Sequence, residues 1–160
     1  MRPRHRLDLL WLPDDPHRAL CLDAFAALKA RWEQRGWLEG VTGAPAGGFV
    51  ALRLDDPGRT AFYANQIGGF RVFCPRVGEN LVPGFLAAMR SWRQGKERSL
   101  SCPHCGETHD LAALRFAPQA GFARGAVVLA GVQQASVRPE VAAELDTVTG
   151  PSVQVLRRPS

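Results

Sequence analysis

Cys102-Pro103-His104-Cys105-Gly106 sets two thiols two residues apart, with proline inside the turn and glycine after it. Such a turn aims both sulfurs at one point and leaves backbone N–H groups facing them, which is the chemistry of metal ligation. The upstream run Phe73-Cys74-Pro75-Arg76-Val77-Gly78 repeats the frame, with Val77 where a second cysteine would stand. Cys74, Cys102 and Cys105 are therefore the candidate thiolate ligands. A structural zinc site needs four donors in a tetrahedron. His109, beyond Cys105 on the strand side of the turn, is the candidate fourth. His104 inside the turn, Cys21 on the predicted first helix, and a water or substrate are the other sources, and the last would leave the site open. The metal-free alternative has Val77 filling the metal's place by apolar packing.

Other chemistries fail on spacing. A redox Cys-x-x-Cys belongs at a helix start, whereas Gly106-Glu107 continues a turn. Gly43 to Gly48 has the glycines of a phosphate loop, but Phe49 follows where the lysine belongs. No dinucleotide fingerprint, nucleophile elbow or His-Glu-x-x-His helix occurs. His109-Asp110 beside a thiolate could support acid–base work, but Asp110 is better placed to cap the segment that starts at Leu111.

These residues need elements to hold them. Leu7 to Trp11 alternates as a strand, with Leu7, Leu9 and Trp11 on one side. Asp15-Pro16 is the expected start of a helix whose inner face is Leu20, Ala24, Leu28 and Trp32, with Cys21 as a small core residue beside it. Phe49 to Leu54 reads as a second strand. Ala126 to Ala130 is a strand apolar on both faces. Pro139 opens a helix carrying Val141, Leu145 and Val148, and Ser152 to Leu156 is the last strand. Strand–helix–strand thus occurs at both ends. The expected class is α+β: a ferredoxin-like split βαβ platform over residues 1–59 and 120–160, with a ribbon-like insert over 60–119. Within the insert, Gly69 to Phe73 is a strand, and Val82-Pro83 starts a helix with Phe85, Leu86, Met89 and Trp92 inward.

The insert resembles a zinc ribbon of the Cys-Pro-x-Cys-Gly type with a helix between its knuckles, over residues 70–116. The resemblance carries Cys74, Cys102 and Cys105 over as ligand positions and departs at Val77. It implies a structural zinc ion and a docking role toward protein or nucleic acid. The runs Asn65 to Pro75 and His109 to Phe116 are similar to small proteins of high-GC bacteria, a likeness that implies no activity.

The chain has 160 residues, 46% of them hydrophobic and 22% charged, enough for a packed core. Its net charge of +5 invites a nucleic-acid reading, but all but two of its 20 basic residues are arginine and they are scattered. No stretch reaches the roughly 20 apolar residues of a membrane span, and the basic start lacks a signal-peptide pattern, so the expected location is cytoplasmic with no membrane partner. Asn65, Gln66 and Arg71, near the first knuckle, together with Arg76 and Arg93, are candidate binding residues. The expected function is a noncatalytic protein-interaction or regulatory module, able to form a homodimer through an open sheet edge. The alternatives are a nucleic-acid binder, through Arg71, Arg76, Arg90, Arg93, Lys96 and Arg98, and a zinc-dependent enzyme with an open coordination position.

Overall fold

A computed structural model describes residues 7–36, 51–65, 70–132, 137 and 139–159. In chain order the elements are β1 (Leu7–Pro13), α1 (Leu22–Gln34), β2 (Ala51–Asp55), β3 (Ala61–Tyr63), β4 (Arg71–Phe73), α2 (Val82–Arg93), β5 (Ser99–Ser101) and β6 (Thr108–Asp110). A 3-10 turn (Leu111–Ala113) precedes β7 (Arg115–Ala117), β8 (Gly121–Ala123), β9 (Ala126–Val132), α3 (Pro139–Thr149) and β10 (Val153–Pro159). The class is α+β. The chain divides into two compact units, residues 1–66 with 122–160, and residues 67–121. No helix among the described residues is long and apolar enough to cross a membrane.

The first unit is built on a four-stranded sheet in the order β10-β1-β9-β2, and each neighbouring pair is antiparallel. The two strand–helix–strand segments interleave: β9 lies between β1 and β2, and β1 lies between β9 and β10. β1 is buried on both faces, so its alternation sorts side chains rather than separating core from solvent. Leu9 and Trp11 join Leu28 and Trp32 of α1 and Val141, Leu145 and Val148 of α3 in one core. Leu10 and Leu12 point the other way, into a second cluster with Tyr63, Ala126, Val128 and Leu156. A two-stranded ribbon, β3 with β8, supplies the cover on that side.

Asp8 is the charged exception within β1, only 7% exposed. The β1–β9 register slips between Leu7 and Leu9, and Gly131 there has φ +67°, which makes a glycine bulge. The Gly131 N–H, turned out of the ladder, donates to Asp8 Oδ1 at 3.1 Å. Asp8 Oδ2 lies 3.9 Å from Arg53 and 3.5 Å from Arg158.

Helix α1 starts later than the Asp15-Pro16 pair suggests. Asp15 closes a local turn instead, accepting from the His17 N–H at 2.8 Å and, through its carbonyl, from the Arg18 N–H at 3.2 Å. Cys21 becomes the residue before the helix, exposed rather than in the core, and its N–H donates to the Val148 carbonyl at 3.0 Å.

The α1–α3 packing is locked by carboxylates that meet indoles. Trp32 Nε1 donates to Glu144 Oε2 at 2.8 Å, and Arg35 donates to Glu144 Oε1 at 2.8 Å. Burial alone would raise the Glu144 pKa. The Trp32 hydrogen bond and the Arg35 and Arg31 charges outweigh it and hold the carboxyl below the ordinary glutamate range. A depressed folded pKa means that stability is fully present above the unfolded value and is lost as pH falls through the folded one. Glu144→Ala also strands the N–H of a fully buried tryptophan. It should therefore cost about 1–3 kcal/mol at neutral pH. Urea denaturation should show the gap to wild type narrowing below the ordinary glutamate pKa; a gap independent of pH would contradict the assignment.

In the second unit β4 pairs with β7 and β5 with β6, both antiparallel. Helix α2 buries Phe85 and Met89, and Phe85 packs edge-on against Phe70 and Phe116 at centroid distances of 5.9 and 5.4 Å. Leu86, expected inward, is 48% exposed. It sits a hundred degrees round the helix from Phe85, and a face built on the i, i+4 pair Phe85/Met89 leaves it outside.

Candidate metal centre

The two Cys-Pro turns have one backbone geometry. The Cys74 N–H donates to the Glu79 carbonyl at 3.0 Å and the Gly78 N–H to the Cys74 carbonyl at 2.9 Å. In the second turn the Cys102 N–H donates to Glu107 and the Gly106 N–H to Cys102, each at 2.9 Å. Gly78 and Gly106 have φ of +72° and +76°, the left-handed region that side-chain-bearing residues enter only with strain. The first turn therefore keeps the knuckle shape although Val77 replaces a cysteine, because main-chain bonds and glycine set it. Val77 does not fill a metal's place: it is 46% exposed.

Strand β4 delivers Cys74, and β5 delivers Cys102. The β5–β6 register sets His109 opposite Leu100, two residues before Cys102 and on the same side of the hairpin. The ligand atoms of Cys74, Cys105 and His109 all lie within 4.8 Å of one another. The two sulfurs are 3.7 Å apart, and His109 Nε2 is 3.5 Å from the Cys74 sulfur and 3.3 Å from that of Cys105. Cys102 lies outside this triad, and its sulfur accepts the Cys105 N–H at 3.5 Å. Cys74, Cys105 and His109 can hold a metal ion. Among the other sources of a fourth ligand, His104 is exposed and Cys21 belongs to the first unit.

The electrostatics favour a cation. Burial works against ionising Cys74, but the Val77 and Arg76 N–H groups and the Cys105 and Cys102 thiols lower its pKa to about 6. At Cys105 the Glu107 N–H favours the thiolate, but burial and the neighbouring Cys102 and Cys74 push the pKa up on balance. One sulfur thus ionises readily and makes the next harder to ionise, and a divalent cation removes that conflict.

The carboxylate next to His109 is committed elsewhere. Asp110 takes a bidentate contact from Arg98, Nε to Oδ1 at 2.8 Å and Nη2 to Oδ2 at 3.0 Å, and Oδ1 also caps the Ala112 N–H at 2.9 Å. Of the candidate binding residues, Arg76 is exposed and paired with Glu107. Arg71 and Arg93 are exposed on β4 and at the end of α2. Asn65 belongs to the first unit, and Gln66 lies outside the described residues. The sequence reading passes over Asp8, Arg53 and Arg158; the signal available was a lone acid inside the apolar run Leu7 to Leu12. No protein-family model, curated protein or solved structure matches the chain.

Proposed function

We propose that this chain is a noncatalytic, cytoplasmic protein-interaction or regulatory module whose second unit is a zinc ribbon held by Cys74, Cys102, Cys105 and His109. The observation that carries this reading is the size of the ligand triangle. Zinc bonded to sulfur at about 2.3 Å and to nitrogen at about 2.0 Å, in a tetrahedron, has sulfur–sulfur edges of about 3.8 Å and sulfur–nitrogen edges of about 3.5 Å. The separations of 3.7, 3.5 and 3.3 Å match these edges. Mixed thiolate and imidazole donors suit zinc, and Cys102, outside the triad but hydrogen-bonded to the Cys105 N–H, as fourth donor would make the site structural rather than open to substrate. The interleaved sheet order supports the ferredoxin-like reading of the platform, and four unpaired cysteines suit a reducing compartment. Among the described residues of the second unit, Val77 at the knuckle tip and Leu86 on α2 are the large apolar side chains left half open. They are the anchors we assign to a protein partner, and the sheet edges β2 and β10 offer a route to a homodimer.

Native mass spectrometry of the purified protein should show one zinc ion per chain. Partners co-purified with wild type should be lost from Val77→Asp at unchanged zinc content. A metal-free protein, or an identical partner set with both, would overturn the reading.

Nucleic-acid binding is the second reading, favoured by Arg71, Arg90 and Arg93, which are exposed and make no ion pair among the described residues. Arg76 and Arg98, by contrast, are engaged with Glu107 and Asp110. Phosphate neutralisation makes log K fall steeply with log salt, so absence of binding to mixed oligonucleotides at low salt eliminates it.

A further inference from the structure

The first unit contains a cavity of about 690 Å³ on the sheet face opposite the helices, lined by residues that include Leu10, Val128, Phe62, Tyr63, Arg53 and Arg158. That volume falls in the range of small-molecule sites, which pair an apolar lining with a few placed polar groups. The two arginines come from opposite edge strands, β2 and β10. They converge because both reach for Asp8 Oδ2. One carboxylate oxygen shared by two guanidiniums leaves an excess positive charge, and the other Asp8 oxygen is taken by the Gly131 N–H.

The donors remain available. Among the described residues neither Arg53 nor Arg158 donates a hydrogen bond to the protein, and each is held to Asp8 only at ion-pair distance. The Arg158 side chain is nevertheless only 20% exposed. A guanidinium mostly withdrawn from water and facing a cavity is poorly compensated by one shared carboxylate, and charge-assisted bonds to an anion would complete it. The other lining carboxylate, Asp55, lies two residues along β2 from Arg53 and accepts the Tyr63 hydroxyl at 2.5 Å. Burial first, and then this bond, keep the Tyr63 phenol far above its usual range and therefore a donor. The cavity is thus polarised, with Asp55 and Tyr63 at one end and the guanidiniums at the other. The Phe62 ring is itself fixed, 5.0 Å from Phe122.

We propose that this cavity binds a small aromatic organic anion, its carboxylate or phosphate on Arg53 and Arg158 and its ring against Phe62, over the buried floor of Leu10, Val128 and Tyr63. The proposal is independent of the metal centre.

The probes are phenyl phosphate and benzoate, with benzyl alcohol as the neutral analogue and inorganic phosphate as the head group alone. Each is titrated into the purified 160-residue chain by calorimetry and by methyl NMR of Leu10 and Val128. Both aromatic anions should saturate in the sub-millimolar range and shift those methyls, with the alcohol and inorganic phosphate at least roughly tenfold weaker. Arg53→Gln and Arg158→Gln should each weaken the aromatic anions by about tenfold or more and leave the alcohol unchanged. Arg53, with a side chain 61% exposed, is the variant least able to disturb the fold, which circular dichroism checks. The idea is overturned if the aromatic anions do not saturate, if the alcohol or inorganic phosphate binds equally well, or if a folded Arg53→Gln binds like wild type.

Discussion

On the proposed zinc-ribbon reading, Cys74→Ser should abolish metal binding and unfold the second unit near room temperature. Cys74 is the ligand delivered by β4, whereas Cys102, Cys105 and His109 all come from the β5–β6 hairpin. A metal held as proposed would tie that hairpin to the β4–β7 pair through Cys74. A unit of this size buries a small core, here chiefly Val72, Leu81, Phe85, Met89, Leu111 and Leu114. Structural zinc in finger-sized peptides contributes about 10–16 kcal/mol of folding free energy. Loss of a thiolate should therefore cost several kcal/mol, well above the roughly 1 kcal/mol of an ordinary substitution. Metal analysis and thermal denaturation with and without a chelator provide the readout. Cys21→Ser, a change at an exposed cysteine of the first unit, is the control and should leave both unchanged. A Cys74→Ser protein that kept its zinc and melted like wild type would remove the basis of the ribbon.

The second large effect is a loss followed by a rescue. His109→Ala should weaken zinc binding by more than the roughly 10–100-fold that an outer-shell change costs. Adding Val77→Cys should restore it. The two knuckles share their backbone hydrogen bonds, and the Val77 N–H faces the Cys74 sulfur as the Cys105 N–H faces that of Cys102. A cysteine at 77 would then stand as Cys105 does, with a tip open enough to admit it. Cobalt substitution reads the outcome directly, since thiolate-to-metal absorption grows with the number of sulfurs. A double variant that binds no better than His109→Ala would show that the second knuckle position does not face the metal.

Legibility tracked the range of the interaction. The knuckles could be read from Cys-Pro and Gly because short main-chain bonds make them. His109 was favoured over His104 from its place on the strand side of the turn, but the Leu100–His109 register that brings it to the sulfurs was not legible. The inner strand Ala126–Val132 and the α3 face were readable from apolar pattern alone. The start of α1 was not, because Asp15 satisfies nearby N–H groups in a turn and Cys21 is tied to Val148 from the far end of the chain. Asp8 stood out as a lone acid in an apolar run, but its pairing with Arg53 and Arg158 was not legible, because three strands distant in sequence bring them together.

The β3–β8 pair has a further consequence. The chain leaves the first unit after β3 and re-enters it along β8, so the two strands that flank the excursion are hydrogen-bonded to each other. The second unit is thus an excursion flanked by paired strands, and none of the pairings of the four-stranded sheet uses its residues.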